Sequence, residues 1–474
     1  MASNDSREEA HKWYRKIHLD WLFNTSTFLG NLFIALVVTY FFRQLNYGDA
    51  VDYVFLIAVL AVGLWITEAI PPFAVGILII CMLLFGFGTD YLMDEPSPVD
   101  IYISTWTSNV MWLLLGGFFL AEGMKQVELD RSLFQFAVKR FGSRPESLLM
   151  GIMVVTALAS MVMSNTATTA MMISSVLPLV YVLGKEANYS KALLTGIPAA
   201  STIGGIGTII GSTPNAIAVG ALQEKGWNIT FIDWMLVGMP TALLLIYLFF
   251  RFLNYKLHIH SASIDLSLLP RSTRAIDPVK RKSVIFTLIV TVLLWLTESI
   301  HGIPVAATSA VPILLLTLTQ VIQAEQVRSI PWDTLMLVAG GLALGIALVE
   351  VGLANILMNE INRLPIGGVI ISMLFSLVGV LLSNVMSNTA AASILIPLGL
   401  TLPLPFSVAV PVMVAISCSS ALLLPVSTPS NAIAYATGLL EQKEFRRGGL
   451  FFMVAGPVAA FISVILWVWL YLQV

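Results

Sequence analysis

The sequence predicts an all-α polytopic membrane protein of about 11 transmembrane helices plus two re-entrant helical hairpins, built as two inverted-topology repeats. Three observations carry this: long uncharged apolar runs, an internal duplication, and polar motifs held inside the apolar runs. Of 474 residues, 57% are hydrophobic and only 11% charged. A soluble chain needs roughly a quarter charged. Runs such as 31–42, 51–66, 284–296 and 451–472 approach or reach the length that crosses a bilayer as helix. A membrane β-barrel would need short alternating segments, and these runs are continuous.

Residues 1–22 carry mixed charges and no apolar centre, so they read as a cytoplasmic lead-in and not as a cleaved signal peptide. Residues 23–50 hold the first span, at 23–43. The first repeat covers 51–255, with spans near 51–68, 70–90, 106–135, 191–224 and 232–255 and a hairpin at 146–184. A basic connector, 256–282, follows. The second repeat, 283–474, has spans near 283–300, 303–323, 331–360, 408–440 and 449–472 and a hairpin at 366–403. With the amino end cytoplasmic, all of the 25 Lys and Arg except Arg43, Lys225 and Arg363 fall on the cytoplasmic side. This orientation puts the carboxyl end outside. Length alone leaves open that each hairpin is two full spans.

The duplication is legible in four ordered matches. WITEAIPPFAVGILI (65–79) is echoed by WLTESIHGIPVAATSAVPILL (295–315), and NVMWLLLGG (109–117) by DTLMLVAGG (333–341). VMSNTA occurs at 162–167 and again at 385–390; GSTPNAIA (211–218) is echoed by VSTPSNAIA (426–434). Five spans separate the starts of the two units, and an odd number inverts the second. Inverted repeats in a membrane are a transporter signature, with the substrate site where the copies meet.

The doubled motifs lie in charge-free stretches, 147–184, 192–223 and 364–440. Pro214 and Pro429 each remove a backbone donor and are expected to break their helices around 211–215 and 427–431. Half-helix amino termini suit carboxylates without Arg or Lys. Freed carbonyls with Ser and Asn oxygens suit a small cation such as sodium. The bland alternative for Ser, Thr and Asn here is interhelical glue. The pairs Gly116/Gly117, Gly204/Gly205 and Gly340/Gly341 read as close helix packing. Glu68 and Glu298 read as structural hydrogen-bonding groups, His301 as a solvated turn residue, and Cys81 and Cys418 as small buried apolar residues. An intramembrane hydrolase needs a nucleophile with a base or metal, and all five histidines lie outside the apolar segments. No catalytic residue and no nucleic-acid partner are expected.

Two SNT motifs at hairpin tips, paired with two STP(x)N broken-helix loops, resemble the divalent anion:sodium symporters, the sodium-coupled di- and tricarboxylate transporters. The resemblance covers essentially the whole chain. It implies a homodimer in the plasma membrane, with scaffold domains that dimerise and transport domains that move as elevators. It implies import of C4-dicarboxylates (succinate, malate, fumarate) with sodium at two or more sites. The first sodium site would use Ser160, Ser164, Asn165 and the Gly211 carbonyl; the second Ser383, Asn388 and the carbonyls of Met386 and Ser427. Substrate carboxylates would meet Asn165, Thr166, Ser387, Asn388 and Thr389, helped by Ser212 and Thr428. Ser383 stands where the family often has Thr. The loop at 211–215 is one residue shorter before its Asn than its partner, so the equivalence of Asn215 and Asn431 stays open. So do sodium-independent exchange, and citrate or sulfate as cargo.

Overall fold

The computed structural model describes residues 24–89, 99–184, 187–259, 277–363 and 367–472. The lead-in 1–22 and most of the connector 256–282 lie outside them. Every regular element among the described residues is helical. Among the described residues seven helices are long and apolar enough to cross a membrane: Asn24–Arg43, Asp49–Thr67, Asp100–Gln126, Asn165–Leu183, Phe231–Leu257, Trp332–Glu350 and Gln442–Leu470. The other expected spans are shorter or broken pieces, and the breaks have local causes.

The expected span 106–135 is two helices. Asn109–Gln126 ends at Val127, and Leu129–Phe141 starts after Glu128, whose left-handed backbone (φ 45°) turns the chain. The span at 331–360 divides in the same way, into Trp332–Glu350 and Leu353–Asn362 about Gly352 at φ 76°. That at 303–323 divides into Val305–Thr308 and Ala310–Leu318. The last helix starts at Gln442, seven residues before the expected 449.

Two helices form the centre. In Asn188–Gly204 every residue from Ala192 on is buried, and in Phe406–Cys418 every residue from Val408 on. A helix apolar on all sides belongs inside. Around them pack the hairpins, Pro145–Ser160 with Asn165–Leu183 and Gly368–Ser383 with Asn388–Gly399. The outer arm Gly368–Ser383 turns Ile370, Leu374, Leu377 and Leu381 outward, as a lipid-facing surface requires. Helix Asn24–Arg43 is peripheral, tied by Asn31 Nδ2 donating to Thr67 Oγ1 at 2.8 Å. Phe231–Leu257 opens with a capping box, Thr230 and Asp233, and packs on the last helix through Phe249 and Phe452, 4.6 Å between ring centroids.

Glycine sets the closest approaches. Helix Pro72–Phe87 meets Trp332–Glu350 where Gly76 faces Gly340, and a Cβ on Gly340 would collide with Gly76 backbone. Gly116 abuts the Ser309 carbonyl. These glycines do pack helices, as expected. Two other expectations are corrected. Cys81 is exposed on an apolar helix, whereas Cys418 is buried; both are free thiols. His301 is not a free turn residue: Ile303 N donates to its Nδ1 at 2.9 Å, so its Nε2–H donates to the Leu294 carbonyl, also at 2.9 Å. Glu298 accepts from Val305 N at 3.0 Å, the structural role expected of it.

Candidate functional site

Each hairpin turns through its SNT motif in the same way. Ser164 and Ser387 take extended backbone, cap the returning helices, and accept from Ala167 N and Ala390 N at 3.2 Å. Capping satisfies an otherwise orphaned amide at each helix start. Behind the turn, Ser160 Oγ lies 2.5 Å from the Asn165 carboxamide, and Ser383 Oγ donates to Asn388 Oδ1 at 2.6 Å. The same end of Asn165 also faces the carbonyls of Ser201 at 3.1 Å and Gly211 at 3.3 Å. Ser383 Oγ is 2.9 Å from the Cys418 carbonyl. Each half thus gathers neutral oxygens from a hairpin and from a broken helix.

The broken helices differ from expectation in one respect. Pro214 and Pro429 start the second half-helices, Thr213–Glu224 and Pro429–Ala436, and do not interrupt a continuous one. In a first turn a missing N–H costs nothing, and the fixed φ is already helical. The preceding α-helices end earlier, at Gly204 and Cys418; in the first half a 3-10 turn, Gly205–Gly207, follows before Thr208 becomes extended.

Asn215 and Asn431 prove to do the same work despite the one-residue difference. Asn215 Nδ2 donates to the carbonyls of Gly205 (3.0 Å) and Thr208 (2.8 Å). Asn431 Nδ2 donates to those of Leu422 (3.2 Å) and Leu424 (3.0 Å). Each amide staples its non-helical loop.

Four helix starts open on one cavity of about 940 Å³. Asn165 and Thr166, Thr213 and Pro214, Asn388 and Thr389, and Pro429 and Ser430 all line it. Of the residues singled out in the sequence, Ser164, Gly211, Ser212, Met386, Ser387, Ser427 and Thr428 line it too. Ser160 and Ser383 sit one layer behind, fully buried. The Ser212 hydroxyl is 2.8 Å from that of Ser419, a contact between the halves, and Thr428 Oγ1 caps Asn431 N. The charged residues of the lining are both acidic, Glu68 and Asp333. Glu68 caps its helix in left-handed backbone and turns its exposed side chain to the cavity.

Several residues here escaped sequence reasoning. Asn384 accepts from Leu423 N at 2.8 Å and from Ser427 Oγ at 3.0 Å, tying the second hairpin to its loop. Thr208 Oγ1 does this in the first half, donating to the Met161 carbonyl. Ser201 donates to the Asn165 carbonyl at 2.8 Å. Asn384 directly precedes VMSNTA and so had a positional signal; Thr208 had none.

The geometry has counterparts in known proteins. The citrate transporter family model (CitMHS) matches residues 62–404. A sodium-dependent dicarboxylate transporter SdcS of Staphylococcus aureus (strain USA300) is 30% identical over 466 residues, covering 89% of this chain and 86% of that one. Its namesake in Staphylococcus saprophyticus is 28% identical over 462 residues, with the same coverage. The fold is similar to that of the YdaH transporter of Alcanivorax borkumensis, with a TM-score of 0.54 and 13% identity over 85% of this chain and 98% of that one. The resemblance carried by the doubled motifs thus extends along most of the sequence, and the chain is a multi-pass membrane transporter belonging to the citrate transporter family.

Proposed function

We propose that the protein imports C4-dicarboxylates such as succinate, malate and fumarate together with sodium. The observation that carries this is the single cavity into which two Ser–Asn oxygen clusters and four helix amino termini converge without any lining Lys or Arg. Each terminus carries about half a unit of positive charge. Four therefore balance about two negative charges, those of one dicarboxylate. Glu68 and Asp333 tilt the cavity negative again, so cations bound at the two clusters tip the balance toward the anion. Substrate and sodium are coupled through Coulomb attraction and need no fixed positive side chain. The names of the staphylococcal relatives support the same reading.

At the first cluster the Asn165 carboxamide, Ser160 Oγ and the carbonyls of Ser201 and Gly211 converge, a neutral polar set that suits sodium.

In this reading the halves are inverted repeats, the amino end is cytoplasmic and the carboxyl end outside. The hairpins and broken helices move as an elevator against scaffolds paired in a homodimer in the plasma membrane. The test is uptake into proteoliposomes of succinate, citrate, 2-oxoglutarate and sulfate, with sodium or choline outside. Sodium-driven succinate uptake is expected. Uptake indifferent to sodium, with efflux driven only by external dicarboxylate, would make the protein an exchanger.

A further inference from the structure

Four hydroxyls beside the cavity have no hydrogen-bond partner, although each is at least nine-tenths buried: Thr168, Thr169, Thr202 and Ser430. They come from three elements that pack on one another, helices Asn165–Leu183, Asn188–Gly204 and Pro429–Ala436. Thr202 and Ser430 line the cavity itself. Thr168 and Thr169 lie one turn beyond Asn165, which lines it as well.

Buried hydroxyls without partners are costly, and threonine in a helix has an easy remedy, bonding the carbonyl four residues back. This chain uses that remedy at Thr156, Thr195 and Thr241. Thr169 cannot use it freely, because the Asn165 carbonyl already accepts from Ser201. Packing does not demand these hydroxyls either. At the positions equivalent to Thr168 and Thr169 the second VMSNTA copy has Ala391 and Ala392, both fully buried. Ser430 is the residue by which the second STP loop exceeds the first. Three of the four polar groups thus lie where the two halves break their own symmetry.

We propose that Thr168, Thr169, Thr202 and Ser430 form a further site for a small monovalent cation, beyond the two Ser–Asn clusters and bridging the halves. Neutral oxygens suit a hard monovalent ion. Among the described residues no group of three or more His, Cys, Asp or Glu is placed to hold a metal ion. Cation binding here would order the second half-helix of one repeat against the hairpin of the other. The proposal rests on the sodium-coupled reading given above.

The experiment uses the full chain in proteoliposomes, with radiolabelled sodium and succinate counted together. Variants are Thr168→Ala/Thr169→Ala, which copies the second half, along with Ser430→Ala, Thr202→Val and Thr202→Ser. The sodium-to-succinate ratio is expected to fall by about one ion in Thr202→Val and in the double variant. Half-saturating sodium is expected to rise about fivefold to tenfold, with Thr202→Ser near wild type. For a variant that does not transport, the rise in melting temperature on replacing choline chloride by sodium chloride is read instead. A smaller rise than wild type supports the site. If ratio, half-saturation and sodium-dependent stabilisation all match a sodium-coupled wild type, the hydroxyls are merely hydrated and the proposal is overturned. A wild type indifferent to sodium would instead sink the transport reading itself.

Discussion

Asn215 reaches back across its loop to the Gly205 and Thr208 carbonyls, and Asn431 spans the other loop to Leu422 and Leu424. The two carboxamides hold open the non-helical segments whose carbonyls face the hairpin tips. Because each amide is bonded to at least two carbonyls in a buried place, Asn215→Ala and Asn431→Ala should each cost about 1–3 kcal/mol. Asn→Asp should be worse than Asn→Ala at both positions, since it sets an acceptor against acceptors. Thermal unfolding of the purified variants measures this; an Asp variant as stable as wild type would refute the staple.

The Ser–Asn pairs are expected to govern sodium. Asn165→Ala and Asn388→Ala should each abolish uptake, because each removes the cavity-lining carboxamide that meets the buried serine. Ser160→Ala and Ser383→Ala should keep the fold and raise half-saturating sodium about tenfold. Initial uptake rates against sodium concentration separate these outcomes. Full uptake in either Asn variant would remove the site assignment.

Glu68 and Asp333 line the cavity with negative charge. Replacing either by its amide should lower the attraction for cations and the repulsion of anions together. Half-saturating sodium is expected to rise by about twofold to threefold and the succinate KM at saturating sodium to fall, both effects shrinking as inert salt is added. Equal shifts at low and high ionic strength would point to a packing defect and not to charge.

The contact of Gly76 with Gly340 leaves no room for a methyl group. Gly340→Ala should destabilise by about 1–3 kcal/mol, whereas Gly30→Ala, with open space around it, should be nearly silent. Detergent-solubilised thermal stability distinguishes them. Equal stability of the two variants would mean the helices can separate at no cost.

What the sequence alone determined is what composition and local order encode. Uncharged apolar runs demand a bilayer, and the repeated SNT stamps the same cap and the same helix start at both copies, because those hydrogen bonds reach only three residues; the repeated STP does not, since Thr428 caps its helix with its side chain and Ser212 does not. The hairpin turns at the two SNT motifs were therefore legible in the sequence, whereas the Ala167 and Ala390 amides that Ser164 and Ser387 cap were not singled out there. The breaks at Glu128 and Gly352 were not legible, although charges flank them (Lys125, Asp130 and Arg131; Glu350), since helix-forming residues continue on both sides and only the backbone turns at φ 45° and φ 76° end each helix. Nor were the partners of uniformly apolar helices such as Phe406–Cys418, which have no polar face to say which way they turn. Only the tertiary structure set Ser212 against Ser419, Asn384 against Ser427, and Thr202 and Ser430 around one cavity. Those juxtapositions join segments far apart in the chain, and they follow from how the helices pack on one another, which no local spacing records.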